Sequence, residues 1–192
     1  MTTRLTNLPV PFTFQFNVTT TGTPEQLQVK RSANTIAFNE NANPVTGSPN
    51  DTITDSANGF LVAGFQPGDS ITVSGSASND GTYVIESVTA GTITLLAKDD
   101  LVTEIAGAVV KIVVSKSVPD GVSVNIKAKK ANTGDITVGY SSATALNTGT
   151  GWMSLDANES IGVQVANFDS IWLDATVSGE GVDVWFEKNI QA

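Results

Sequence analysis

Carboxylates are the most numerous ionisable groups in this chain that could do chemistry. Its 192 residues include no histidine and no cysteine. That removes Ser-His-Asp triads, thiol nucleophiles, disulfides and the usual zinc and iron–sulfur ligands. Acid, lysine, tyrosine or N-terminal chemistry is what remains. There are 19 Asp and Glu residues, and two carboxylates are in principle enough for glycoside hydrolysis. Asp55, Asp69 and the adjacent Asp99-Asp100 are the nominees. Successive residues of a strand point to opposite faces, so Asp99 and Asp100 do not converge if their segment is extended. An enzyme also needs a cleft with perturbed groups, and the sequence supplies no sign of one. The reading is a non-enzymatic protein whose acids are solvated charges that keep strand edges from pairing.

Metal binding is read the same way. Asn50-Asp51, Asn79-Asp80 and Asp156-Ala-Asn158-Glu159 are oxygen-rich, as a hard cation requires. None has the spaced ladder and terminal Glu of an EF-hand, and Asn and Asp in turns ordinarily serve the local backbone. No metal and no cofactor are expected.

Docking chemistry has better candidates. Lys127, Lys129 and Lys130 form the cationic cluster of the chain, with Lys127 and Lys129 on one strand face. The cluster lacks the arginines and interleaved aromatics of a nucleic-acid site. Phe12, Phe14, Trp185 and Phe186 are the aromatic candidates for interface anchors. Trp185 and Phe186 are neighbours, so one ring faces the core and the other faces out.

The elements that must position these residues are strands. Threonine and valine are abundant, 24 and 22 residues, alongside 17 glycines, the mixture of pleated surface and frequent turns. Phe12, Phe14, Phe16 and Val18 alternate with Thr13, Gln15 and Asn17, the period of a strand with one buried face. Similar stretches recur at 71–73, 82–85, 92–95, 109–114, 122–128, 171–175 and 182–186, separated by turn signals such as Asn79-Asp80-Gly81 and Gly179-Glu180-Gly181. Only 101–106 and 60–63 have the pattern of a helical turn. The expected fold is all-β: a small antiparallel sandwich or barrel-like domain with a second β-module inserted in a loop.

Charge marks the insertion. Residues 40–104 hold nine acids and one base, a net of −8, while the rest holds ten acids and nine bases, a net of −1; together these make the chain's −9. The division reads as an arm over 1–11, a discontinuous docking domain over 12–31 and 117–192, and an acidic module over 32–116. An inserted module whose ends lie close together leaves its host's core undisturbed. The acidic balance argues against nucleic-acid partners. No apolar run reaches the roughly 18 residues of a membrane span. The first ten residues carry no apolar signal core, so synthesis and folding in a cytoplasm are expected.

Two sets of motifs carry a resemblance. Phe16-Asn-Val-Thr-Thr-Thr-Gly-Thr-Pro-Glu-Gln-Leu27, Val118-Pro-Asp-Gly-Val-Ser-Val-Asn-Ile-Lys-Ala128, Asn132-Thr-Gly-Asp-Ile-Thr-Val-Gly139, Leu155-Asp-Ala-Asn-Glu-Ser160 and Ser178-Gly-Glu-Gly-Val182 resemble a small β-domain common among tailed-phage virion proteins. There, Gly-Thr-Pro-x-x-Leu leads within a few residues to Pro-x-Gly, whereas some 90 residues intervene here, between Leu27 and Pro119. Within that interval, Asp51 to Phe60, Gly64 to Ser74 and Asn79 to Ile85 resemble a β-module of phage structural proteins. The resemblance implies a virion structural protein, foremost a head decoration (cement) protein on the capsid surface. Its partners would be the major capsid protein and further copies of itself. A tail, neck or baseplate component and a host-surface or glycan-binding fibre module stay open as alternatives.

Overall fold

The structure is a computed structural model that describes residues 12–41, 50–114, 116–146 and 153–188. The expected arm over 1–11 and Trp152 lie outside the described residues. In chain order the strands are β1 Thr13–Asn17, β2 Glu25–Gln26, β3 Val29–Ala33, β4 Ile36–Asn39, β5 Thr52–Asp55, β6 Ser70–Ser74, β7 Gly81–Val88, β8 Thr92–Leu95, β9 Val110–Val114, β10 Val122–Ala128, β11 Ile136–Gly139, β12 Met153–Leu155, β13 Ser160–Val163, β14 Trp172–Ala175 and β15 Gly181–Lys188. Among the described residues, helix is confined to α1 Phe60–Ala63, α2 Ser142–Ala145 and a 3-10 turn at Phe168–Ser170. The protein is all-β, its pairings are antiparallel, and no sheet closes into a barrel.

The chain divides into two compact units: one up to Leu27 and from Ser117 onward, the other Gln28–Lys116. The entry crossing thus falls before β3 rather than at Arg31, because β3 pairs along its whole length with β9 of the inserted unit. In that pairing Val29 stands opposite Val114. The strands that enter and leave the insert therefore run side by side, which is how a loop can carry it.

The outer unit holds two four-stranded sheets, ordered β1-β15-β10-β13 and β12-β11-β14-β2. Strand alternation gives each sheet a core face. Phe14 and Phe16 of β1, Val124 and Ile126 of β10, and Val182 and Val184 of β15 are buried, while Thr13, Gln15 and Asn17 between the β1 phenylalanines are exposed. Register aligns these faces, with Phe14 opposite Val184 and Ile126 opposite Val184 on its other side. From the second sheet, Ile136, Val138, Leu173 and Ala175 are buried as well. Phe168, with no exposed surface, sits at the hub of a ring cluster, its centroid 5.6 Å from Phe12, 5.4 Å from Phe14 and 5.2 Å from Phe186.

The inserted unit is one seven-stranded open sheet, β3-β9-β6-β7-β8-β5-β4. Its core is built from Ile36, Phe38, Ile53, Phe60, Phe65, Ile71, Ile85, Ile93, Leu95 and Ile112. The 60–63 segment is the expected helical turn, stopped by Gly64 at φ 94° in the left-handed region. The 101–106 segment is not helical. Glu104 instead forms an isolated antiparallel bridge with Phe38, along the edge of β4. Backbone pairing on a β-edge won over a weak helical pattern in a segment whose Gly107 and flanking threonine favour extension.

Candidate functional site

Three of the four carboxylates nominated for chemistry, Asp55, Asp69 and Asp99, are tied to the backbone of their own unit. Asp55, 1 % exposed, accepts bonds from Arg31 Nε at 2.7 Å, Thr35 Oγ1 at 2.6 Å and the backbone N–H groups of Ala57 and Gly59, both at 3.0 Å. Burial alone would raise its pKa. The Arg31 guanidinium, the Thr35 hydroxyl and the two N–H groups outweigh that and lower it from 3.8 to about 2. Asp69 accepts from Gln66 N and pairs with Lys116 at 2.9 Å, where burial depresses the lysine's pKa. Asp99 accepts from Val84 N at 2.7 Å, and Asp100 is exposed. These acids serve loops: a carboxylate that satisfies backbone N–H groups replaces the ladder a turn cannot make. Among the described residues, no two of the four nominees share a hydrogen-bond partner.

The oxygen-rich loops behave alike. Asp51 accepts from Asn41 N and Leu101 N, both at 2.7 Å, and Asn50 donates to Glu86. Asp80 accepts from the Ser76 hydroxyl and N–H, which lower its pKa. Asp156 meets Asp135, whose carboxyl raises the Asp156 pKa, and its N–H donates to Glu159 at 3.0 Å. Among the described residues, no three acidic side chains are arranged as a metal-ligand group.

The docking candidates separate into two groups. Phe12 and Phe14 are each 4 % exposed and belong to the ring cluster around Phe168, so they have no surface to offer a partner. Phe186 joins them: its ring lies 5.2 Å from Phe12 and from Phe168, and its residue stands opposite Val124 on the core face. Phe12 and Phe14 are packing residues, because an alternating strand that buries one phenylalanine buries its i+2 neighbour too, whereas Phe186 is half-buried with its ring set against their cluster.

Trp185 points the other way. It stands opposite Thr13 on β1 and Asn125 on β10, and Asn125 in turn stands opposite Gly162 on β13. The outer face of the β1-β15-β10-β13 sheet therefore carries a half-buried indole among polar side chains. Lys127 shares that face, opposite Asp183. Lys129, two residues on, donates to Asn17 Oδ1 at 2.8 Å. Lys130 is exposed in the turn beyond.

Two amide–carboxylate pairs flank the indole along β15. Gln15 donates to Asp183 at 3.2 Å on one side, and Asn125 donates to Glu187 at 3.2 Å on the other. Sequence reading missed these four residues. Their i±2 spacing from Trp185 was visible on β15, but the cross-strand partners follow only from register. The face can do two things chemically: it can bury an indole against a partner, and it can exchange its amide and carboxylate hydrogen bonds for a partner's. No protein-family model, no curated protein and no solved structure matches the chain.

Proposed function

We propose that this chain is a non-enzymatic structural protein of a tailed-phage virion, a decoration protein that docks on the assembled capsid through the outer face of its β1-β15-β10-β13 sheet. The observation that carries this reading is the convergence of Trp185, Lys127 and Lys129 on that one face, opposite the core face that takes Phe12 and Phe14 and toward which the half-buried Phe186 turns its ring. A half-buried tryptophan amid a polar, hydrogen-bonding rim has the anatomy of an interface anchor. The lysines supply charge attraction to an acidic shell, and that attraction weakens with salt. A ligand that binds only the assembled shell stabilises it by mass action, repeated at every site.

The test is co-sedimentation with expanded empty capsids. Wild-type protein sediments with the shell, Trp185→Ala loses affinity at least tenfold, and charge reversal at Lys127 and Lys129 removes the salt sensitivity. Retention of full affinity by Trp185→Ala defeats the reading.

A second reading, a glycan-binding fibre module, draws on the two amide–carboxylate pairs beside the indole. Planar polar groups flanking an aromatic plane suit a sugar's hydroxyls and its apolar C–H face. Saturable binding of host-envelope polysaccharide, lost in Trp185→Ala, with no binding to capsids, would select it.

A further inference from the structure

The segment after Leu101 runs Val102-Thr-Glu-Ile-Ala-Gly-Ala-Val-Val110. Leu101 is buried, yet Val102 is 54 % exposed, Ile105 87 % and Val109 65 %. Ala106 and Ala108 are exposed between them. A single exposed valine needs no explanation, but a run of apolar side chains on one loop is the mark of a contact surface.

This loop is also held in place. Asn79, 1 % exposed, clamps Val102 from both sides: its Nδ2 donates to Val102 O at 2.9 Å and its Oδ1 accepts from Val102 N at 2.8 Å. Glu104 exchanges backbone bonds of 2.8 and 2.9 Å with Phe38, and its carboxylate accepts from Ala77 N, Ser78 N and Asn79 Nδ2. At the far end, Gly75 leaves room for the Val109 carbonyl, which a Cβ there would strike. Val110 then enters β9 opposite Ala33. Buried polar groups thus fix the backbone while its apolar side chains face water. Such preorganisation lowers the ordering cost of an association.

Charge selects the occupant. Glu40, whose N–H donates to Thr103 Oγ1 at 3.3 Å, Glu104 within the run, Asp80 beside the Asn79 clamp and Asp99-Asp100 before Leu101 give the stretch and its neighbours an acidic excess over Lys98 and Lys111. A second copy of the chain would bring the same acids face to face, which is repulsive.

We propose that the Val102–Val109 loop of the inserted unit is a protein-docking surface for a partner segment that carries apolar side chains among lysines or arginines. The site is separate from the sheet face of the outer unit, and either can fail without the other.

The experiment titrates three synthetic 12-residue peptides into the intact 15N-labelled protein: alternating Leu and Lys, alternating Leu and Glu, and alternating Ser and Lys. The Leu/Lys peptide should give saturable shifts at Val102, Ile105 and Val109, weakened by raising salt from 0.15 to about 0.5 M. Ile105→Asp should raise its Kd at least tenfold while the Asn79 side-chain amide signals, which report the clamp, stay in place. Val109→Asp should repeat that loss. Absence of loop shifts with Leu/Lys, equal binding of Leu/Glu or Ser/Lys, or an unchanged Kd in both variants overturns the proposal. So does self-association of the protein alone that Ile105→Asp abolishes, which would make a second copy the occupant. Partition of the loop into phosphatidylcholine vesicles, lost in Ile105→Asp, would make it a lipid contact and overturn it equally.

Discussion

Replacing Asp55 by Asn tests whether the acids of the insert are structural. The carboxylate is buried and holds Arg31, Thr35, Ala57 and Gly59 together, so it links the β3 strand, the turn after it and the turn before α1. An amide keeps one acceptor but turns N–H donors toward Arg31, which loses its counter-charge. Breaking one half of a buried pair costs about 3 kcal/mol. Independently, lowering the pKa from 3.8 to about 2 corresponds to about 2 kcal/mol of pH-dependent stability. The folded-state pKa is the depressed one, so this contribution is complete above pH 5 and is lost as pH falls through 3.8, most of it by pH 2.

Urea unfolding of wild type and Asp55→Asn at pH 7, 4, 3 and 2 reads both effects. All three tryptophans lie outside residues 28–116, so indole fluorescence follows the outer unit, while the methyl signals of Ile53 and Ile93 follow the insert. The insert's midpoint should drop in Asp55→Asn at pH 7, and the gap to wild type should narrow toward pH 2. A variant within about 0.5 kcal/mol of wild type at pH 7, or a gap that does not change with pH, refutes the reasoning.

Other perturbations separate core from surface. Phe168→Ala should cost the outer unit about 3–5 kcal/mol in urea unfolding, since it removes the ring that Phe12, Phe14 and Phe186 share. Trp185→Ala, on the outer face, should change stability by less than about 1 kcal/mol in the same assay. Asn79→Ala should cost the insert about 2 kcal/mol and speed amide exchange at Val102, because it strips the two groups that bond that residue's backbone. Gly59→Ala should approach Asp55→Asn in its effect on melting, because the added Cβ would occupy the Arg31 guanidinium's place.

Period-2 alternation made β1, β10 and β15 readable in the sequence, because each buries one face only and apolar and polar residues take turns. The same alternation correctly divides Trp185 from Phe186, though it does not say which faces out; the register with Val124 decides that. It fails for β11, whose four residues are all buried, including Thr137. It also fails for β2, only two residues long. The α2 turn has a capping box between Ser141 and Thr144, a local signal that a threonine in place of the usual Glu or Gln obscures. Asp55 was visible as a reactive group, and its bonds to Ala57 and Gly59 follow from the Asp-Ser-Ala-Asn-Gly turn. Arg31, 24 residues upstream, was not visible as its partner, because only the fold of the sheet brings the two together. The helical turn expected over 101–106 fails for a similar reason: the edge of β4 and the Asn79 amide that hold this segment are distant in sequence.

The proposed head location has a direct measure, the number of copies of this chain per virion relative to the major capsid protein, by quantitative mass spectrometry with labelled peptide standards. Decoration of the head lattice predicts an abundance comparable to that of the capsid protein. A small fraction of that abundance contradicts it and moves the chain to a unique vertex, the tail or a fibre.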